Sequence, residues 1–371
     1  MNKTTRLLRM TCALACCGLF SHAHAQSSVT LYGVIDTGID FASNVDGQHL
    51  WQMASGVSAG SRWGLRGKED LGGGLAAIFD LESGFNSTNG GLGSGLAFSR
   101  NAYVGLSDQR MGTLTLGRQW DPIVDLIEPY SLNDYYGGWY FSHPNDMDNL
   151  DNGFAISNAV KYTSPTIAGF TGEALYSFGG QPGRFSDNAA YSAALAYTNG
   201  PFSAGVGYLR VNDPEQAVQS YQNGGGYTNA VYGDALMNAR SQNIFAAGAS
   251  YQLGNVKLMG NFTDVDFQQG DDEQDVKFQN YEVAGTLAAT SQLNFGLGYT
   301  YTTGRDHATG QEPKYRQLNA SAEYELSKRT AVYALAALQM ASGGAVAQVA
   351  GFDPSSSGRQ AVGRIGLRHT F

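Results

Sequence analysis

Apolar and polar side chains alternate with a period of two in segments of about ten residues along most of the chain, as in strands with one greasy and one wet face. Leu31, Ile35 and Ile39 alternate with Tyr32, Asp36 and Asp40, and Trp63 and Leu65 alternate with Arg62, Arg66 and Lys68. Ala77, Phe79 and Leu81 then oppose Ile78, Asp80 and Glu82, with the tight segment Glu69 to Gly74 between the two strands. The same pattern predicts strands near 97–107, 112–119, 156–164, 167–178, 189–198, 201–211, 242–252, 255–265, 278–288, 292–303, 315–326, 330–340 and 361–371, about sixteen in all. In the last of these, Gly363, Ile365, Leu367, His369 and Phe371 share one face, and Arg364, Gly366, Arg368 and Thr370 share the other. Taken alone, that strand fits the edge of a soluble sandwich as well as a wall between lipid and water.

The connections separate these readings. Short ones at 164–166, 198–201, 252–255 and 326–329 alternate with long ones near 42–60, 119–156, 212–241, 265–278 and 341–360. Such a rhythm, with one rim trimmed to turns and the other carrying loops, predicts an all-β, transmembrane, antiparallel up-and-down β-barrel. Outward aromatics near strand ends, among them Tyr162, Phe170, Tyr191, Phe202, Tyr251, Tyr281, Tyr299, Tyr324 and Phe371, suit interfacial belts. Closure follows because an open strand edge in hydrocarbon would leave its backbone groups unsatisfied. Ala331 to Phe352 lacks charge, but Gln339, Ser342, Gly343, Gly344 and Gln348 interrupt it, which favours a strand followed by a glycine-rich loop over a spanning helix.

At the amino terminus Lys3, Arg6 and Arg9 precede the apolar run Met10 to Phe20 and the small-x-small site Ala23-His24-Ala25. Residues 1–25 read as a cleaved signal peptide, with 26–371 as a single barrel domain. Cys12, Cys16 and Cys17 all fall in the discarded segment, so no disulfide or thiolate chemistry is expected of the mature chain. Removing three of the 23 basic residues leaves 20 against 32 acidic ones, so a formal charge of −9 becomes −12. That acidity argues against a nucleic-acid partner. The 49 glycines and 21 tyrosines fit many strands with aromatic girdles.

The segments SSVTLYGVIDTGID (Ser27 to Asp40), WQMASG (Trp51 to Gly56), SRWGLRGKEDLGGGLAAIFDLESGF (Ser61 to Phe85), RNAYVGLS (Arg100 to Ser107), GTLTLGRQ (Gly112 to Gln119) and GLRHTF (Gly366 to Phe371) resemble the Gram-negative general porins of the beta-proteobacterial type. The resemblance spans essentially the whole mature chain. It implies a homotrimer of sixteen-stranded barrels in the cell outer membrane, in contact with its lipid and lipopolysaccharide. It also implies a long third loop folded into the lumen as a constriction, and passive diffusion of small hydrophilic solutes and ions. Phe371 would be the terminal aromatic read by the barrel-assembly machinery.

The third loop would run from about Gln119 to Ala155, rich in carboxylates and aromatics, with Asp121, Asp125, Glu128 and Asp134 as candidate constriction acids. The proline-glutamate-phenylalanine-glycine turn that many relatives carry at its tip is absent. Parity places Arg62, Arg66, Lys68, Arg100 and Lys161 on lumenal faces, and in similar porins basic residues matching Arg62, Arg100 and Lys161 form a wall opposite the loop acids. Cations facing carboxylates across a wet pore set up a transverse field that selects charged or dipolar solutes. Arg118 falls on the outward parity and is left out of this wall.

No enzymatic constellation emerges. His49, His143, His307 and His369 read as exposed loop histidines, none in a Gly-x-Ser-x-Gly context or beside an evident nucleophile. Asp146, Asp148 and Asp151, and separately Asp264 to Asp275, read as solubilising loop charge, lacking EF-hand spacing, and no metal or cofactor is expected. Two alternatives to a passive channel stay open: a substrate-preferring channel with Tyr135, Trp139 and Tyr140 as an aromatic slide for sugars or aromatic solutes, and a barrel adhesin or receptor.

Overall fold

The computed structural model describes residues 28–215, 229–233, 235–269 and 275–371. The predicted signal peptide, Gln26, and the acidic residues Asp271, Asp272 and Glu273 lie outside them. Strands β1 (Ser28–Val45), β2 (Gln48–Ser55), β3 (Arg62–Gly72), β4 (Leu75–Gly84), β5 (Asn101–Asp108), β6 (Gly112–Gln119), β7 (Ile156–Thr163), β8 (Phe170–Ser177) and β9 (Ala190–Asn199) make the first half. Strands β10 (Phe202–Asn212), β11 (Ser241–Leu253), β12 (Val256–Gln268), β13 (Val276–Ala288), β14 (Leu293–Asp306), β15 (Lys314–Ser327), β16 (Thr330–Ser342) and β17 (Arg359–Thr370) make the second.

Each strand pairs antiparallel with its neighbours, and β17 closes onto β1 from Val34↔Thr370 to Ala42↔Val362. The barrel has sixteen staves although seventeen strands are distinct among the described residues. β1 is long enough to pair with β2 over Thr37 to Val45 and with β3 over Ser28 to Val34, so β2 and β3 share one stave end to end. The segment 42–60, read from sequence as a long connection, is therefore largely a hairpin. The charge-free stretch after Ala331 is the rest of β16 and a turned loop, and among the described residues no helix is long and apolar enough to cross a membrane.

Alternation governs the walls. Leu31, Ile35 and Ile39 are 60%, 40% and 55% exposed on the outside, whereas Asp36 and Asp40 are fully buried inside. The closing seam carries saturated polar pairing: Arg364 donates to Asp40 at 2.7 Å, to Asp36 at 3.0 Å and to the Tyr333 hydroxyl at 2.8 Å. Arg368, on the same face beyond Gly366 toward the carboxyl end, pairs with Glu323 at 2.7 Å. The last residue completes the ladder, Phe371 exchanging two backbone hydrogen bonds with Gly33 at 3.0 and 3.1 Å.

Candidate functional site

The segment between β6 and β7 opens with a short helix, α1 (Pro122–Leu126), whose start is fixed locally. Asp121 caps it by accepting from the Ile123 N–H at 2.8 Å, and Pro122 occupies the first turn, where no N–H is needed. From there the chain lies against the inner faces of β10 to β15. Gly205, Gly207 and Gly248 leave room for Ile123, Ile127 and Tyr130, and Gly296 and Gly298 for Leu132. A Cβ at Gly205, Gly248 or Gly298 would collide with these loop residues, and one at Gly207 or Gly296 would crowd them.

Above this shelf the inner faces turn apolar, and Leu209, Ile244, Val265, Phe267, Phe278 and Tyr315 pack with Met147 and Leu150 of the loop in one core. Polar ties complete the seat. The Ser131 hydroxyl and the Leu132 N–H donate to Glu282 at 2.6 and 2.8 Å, Gln317 donates to the Tyr140 carbonyl at 2.9 Å, and the Tyr140 hydroxyl donates to Asp40 at 2.9 Å. At the far side the Trp139 N–H reaches the Val57 carbonyl at 3.0 Å.

Between this loop and the 56–62 segment lies a cavity of about 580 Å³. Arg62 and Arg100 line it on the barrel side, and Asp125, Glu128, Asp134 and Asp151 line it on the loop side. Arg100 lies 2.6 Å from Glu82 and over the Trp120 ring at 4.9 Å, while Arg62 lies 3.5 Å from the same carboxylate. Two guanidiniums sharing one carboxylate leave this wall net positive.

The nine candidate residues do not all meet. Lys161 is not on the open wall: it is turned into the loop, bonded to Asp125 and to the Trp120 carbonyl at 3.0 Å, so it clamps the loop root and neutralises Asp125. Asp121 is likewise a correction, since a fully buried cap held also by Asn149 at 2.9 Å cannot face solute; burial pushes its carboxyl up to about 6. Arg66 stands apart from the cavity, 3.5 Å from Asp80 and 4.5 Å above the Tyr32 ring. Lys68 is exposed near the short-turn end of β3, and its side chain makes no hydrogen bond or ion pair among the described residues. Glu128 is shielded, bonded by Asn152 at 3.1 Å, and burial together with Asp134, Asp151 and Asp146 raises its carboxyl well above the usual range. Burial also raises Asp134.

Sequence reasoning misplaced two groups. His143 is not exposed: burial alone would lower its imidazole, but Asp148 at 2.5 Å and Glu282 at 3.3 Å outweigh this and raise it to about 10. Asp146, Asp148 and Asp151 are accordingly a buried network and not solubilising charge. Asp148 also accepts from Thr263 at 2.6 Å and Asn280 at 3.3 Å. Arg118 departs from parity at the register shift between Gly117 and Gln119; it is buried, donating to the Ser99 carbonyl at 2.7 Å and the Ser157 hydroxyl at 2.8 Å.

A closed barrel of transmembrane strands with an apolar exterior and a charged, loop-narrowed interior defines an outer-membrane diffusion channel. Residues 11–344 match the model of the Gram-negative porin family, and the chain belongs to that family. It is 32% identical to an outer membrane porin protein of Bordetella pertussis, over 95% of this chain and 97% of that one. It is 29% identical to outer membrane porin protein 32 of Delftia acidovorans, over 97% and 98%. Among solved structures, the anion-selective porin from Comamonas acidovorans aligns with a TM-score of 0.74 at 26% identity, covering 93% of this chain and all of that one. The protein is therefore a Gram-negative outer-membrane β-barrel that forms a passive diffusion channel.

Proposed function

We propose that solutes pass this channel through the gap between the Arg62–Arg100 wall and the third loop, and that the gap gives it a weak preference for anions. The cavity with two guanidiniums on one side and partly shielded acids on the other carries this reading. Asp125 is neutralised by Lys161, and burial favours the protonated form of Glu128, so the loop side offers less negative charge than its composition suggests. The narrow section, and not the acidic chain as a whole, sets the field that an ion meets. An anion-selective solved relative is consistent with this sign.

The channel works as a homotrimer, burying part of the apolar outer face, with outer-membrane lipid against the remainder and lipopolysaccharide at the long-loop rim. Phe371, the residue that completes the ladder with Gly33, is the mark that the barrel-assembly machinery reads. Arg66 and Lys68 contribute to the field beyond the constriction.

Planar bilayers test the proposal. Conductance steps in triplets and a reversal potential favouring chloride in asymmetric KCl are expected, and Arg100→Ala should move that potential toward cations. Absence of conductance would overturn the channel, single steps the trimer, and an unchanged potential in Arg100→Ala would remove Arg100 from the constriction. Normal trimer yield from a Phe371 deletion would contradict the assembly role.

A further inference from the structure

On the long-loop side of the constriction a second cavity, of about 430 Å³, is walled by the third loop, by Asn229, Tyr232 and Leu236, by the start of β11 and by the loop between β16 and β17. Trp139 and Gly153 line both this cavity and the constriction, so the two adjoin. Its lining joins aromatic faces, Trp139, Tyr232 and Phe352, to planar amides, Gln242 and Gln348, and to the carboxyls of Asp146 and Asp353.

Two features mark this as more than an incidental gap. Gln242 is 2% exposed and donates to the Met147 carbonyl at 2.8 Å, yet its Oε1 has no hydrogen-bond partner. A buried amide oxygen left in that condition costs free energy, which a hydroxyl donor from a solute would recover. Gly351, held at a φ of +88°, brings the backbone close beneath the Trp139 ring, where a Cβ would crowd the indole. The ring therefore keeps a fixed place beside Gly351.

The lining also restricts the occupant. It includes no lysine or arginine among the described residues, so an anion entering here would lose its hydration without a compensating charge. Asp146 is already committed to the N–H groups of Asp151 and Gly153, both at 2.8 Å, and burial raises its carboxyl well above the usual range, which weakens it as a counter-ion for a cation. Asp353, the other carboxylate of the lining, is exposed to solvent, and the Gln348 amide already accepts from Asn145 and the Ala230 N–H and donates to the Phe352 carbonyl. What remains is aromatic surface for apolar C–H faces and the open acceptor of Gln242 for a hydroxyl, in a volume typical of small-molecule sites.

We propose that this vestibular cavity is a binding site for an uncharged, polyhydroxylated solute of sugar size, which it holds at the mouth of the constriction. The proposal rests on the channel reading above and adds a substrate class to it. Stacking on Trp139 and Phe352 would orient the solute, and Gln242 would accept from one of its hydroxyls. Holding the solute beside the constriction raises its local concentration where passage is slowest, at the expense of saturation at high load.

Maltose added to the long-loop side of the reconstituted channel provides the test. Ion current should fall along a saturable curve, while gluconate at equal concentration should produce no saturable block. Gln242→Leu should raise the half-blocking concentration about tenfold, the loss of one hydrogen bond to a buried acceptor. A decline that merely follows solution viscosity, or identical curves for Gln242→Leu and the parent protein, would overturn the site while leaving the channel reading intact; no conductance at all would fall on the channel reading instead. Intrinsic fluorescence of the refolded protein gives a readout independent of current. Maltose should shift the emission of the parent protein saturably and leave Trp139→Phe unshifted, and an equal shift in both would place the sugar elsewhere.

Discussion

Replacing Arg364 by methionine tests the energetics of the barrel seam. The guanidinium is fully buried and reaches Asp40 at 2.7 Å, Asp36 at 3.0 Å, the Tyr333 hydroxyl at 2.8 Å and the Ala54 carbonyl at 3.0 Å. Methionine fills much of the space but removes the cation paired with two carboxylates that have no access to water. Breaking one buried ion pair by deleting a partner costs about 3–5 kcal/mol, mostly the desolvation of the charge left behind. Two carboxylates are stranded here, so a loss of about 4 kcal/mol is a conservative expectation, equivalent to about a thousandfold in the folding equilibrium. The assay is urea unfolding of the refolded protein in lipid vesicles, with the folded fraction read from the mobility of unheated samples on gels. If stranded charge is the cause, adding Asp36→Asn and Asp40→Asn to Arg364→Met should recover at least half of the loss, a non-additivity that simple loss of packing would not give. Stability of Arg364→Met within about 1 kcal/mol of the parent would refute the reasoning, because a loss that small falls below the cost of one stranded buried charge.

Three further outcomes follow from the third loop. Asp151 lines the constriction, and burial raises its carboxyl to about 7, well above the ordinary carboxylate value, so it gains charge only as pH rises through that region. Its contribution to loop stability is complete below about pH 4 and is lost as pH rises through about 7. Acidification from pH 8 to 5.5 should therefore shift the reversal potential toward anions, and Asp151→Asn should abolish most of the shift; a shift of equal size in the variant would assign it to another group. His143→Leu removes the cation between Asp148 and Glu282, so the loop should become cleavable by added protease and the open-channel current noisier, while an intact, protected loop would show that the imidazolium is dispensable. Gly248→Val puts carbon atoms into the Tyr130 ring and should unseat the loop root at a cost of about 1–3 kcal/mol, measured as a lower urea midpoint; an unchanged midpoint would mean that the shelf yields freely.

Much of the wall was legible before any coordinates. Period-two alternation marked nearly all the strands because each faces lipid on one side and the interior on the other, a constraint that acts on every residue in turn. The pairing of Arg364 with Asp36 and Asp40 was also accessible, since closure of a barrel obliges the last strand to meet the first. The β2 hairpin was harder, because Trp51 and Met53 alternate with Gln52 over too few residues to stand apart from a loop.

The loop chemistry divides differently. Sequence marked a long acidic and aromatic segment, but carboxylates that cap a helix, clamp a lysine or line a gap look alike in one dimension. Asp121, Asp125 and Glu128 were separated only by their neighbours at 149, 161 and 152. One missed signal was present: at the long-loop ends of β10 to β13 the inner positions turn apolar, as in Leu209, Val211, Val265 and Phe267, although a wet lumen gives no reason for it. Strands apolar on both faces near one rim must be covered on the inside.

By itself, then, the sequence determined the barrel, its polarity and its seam, because those depend on side-chain period and on closure, which are local or topological. Tertiary structure alone decided which charges are free to meet a solute. Protonation and pairing depend on distances of a few ångströms between residues far apart along the chain, as between His143 and Glu282 or Tyr140 and Asp40, and no local pattern along the chain encodes them.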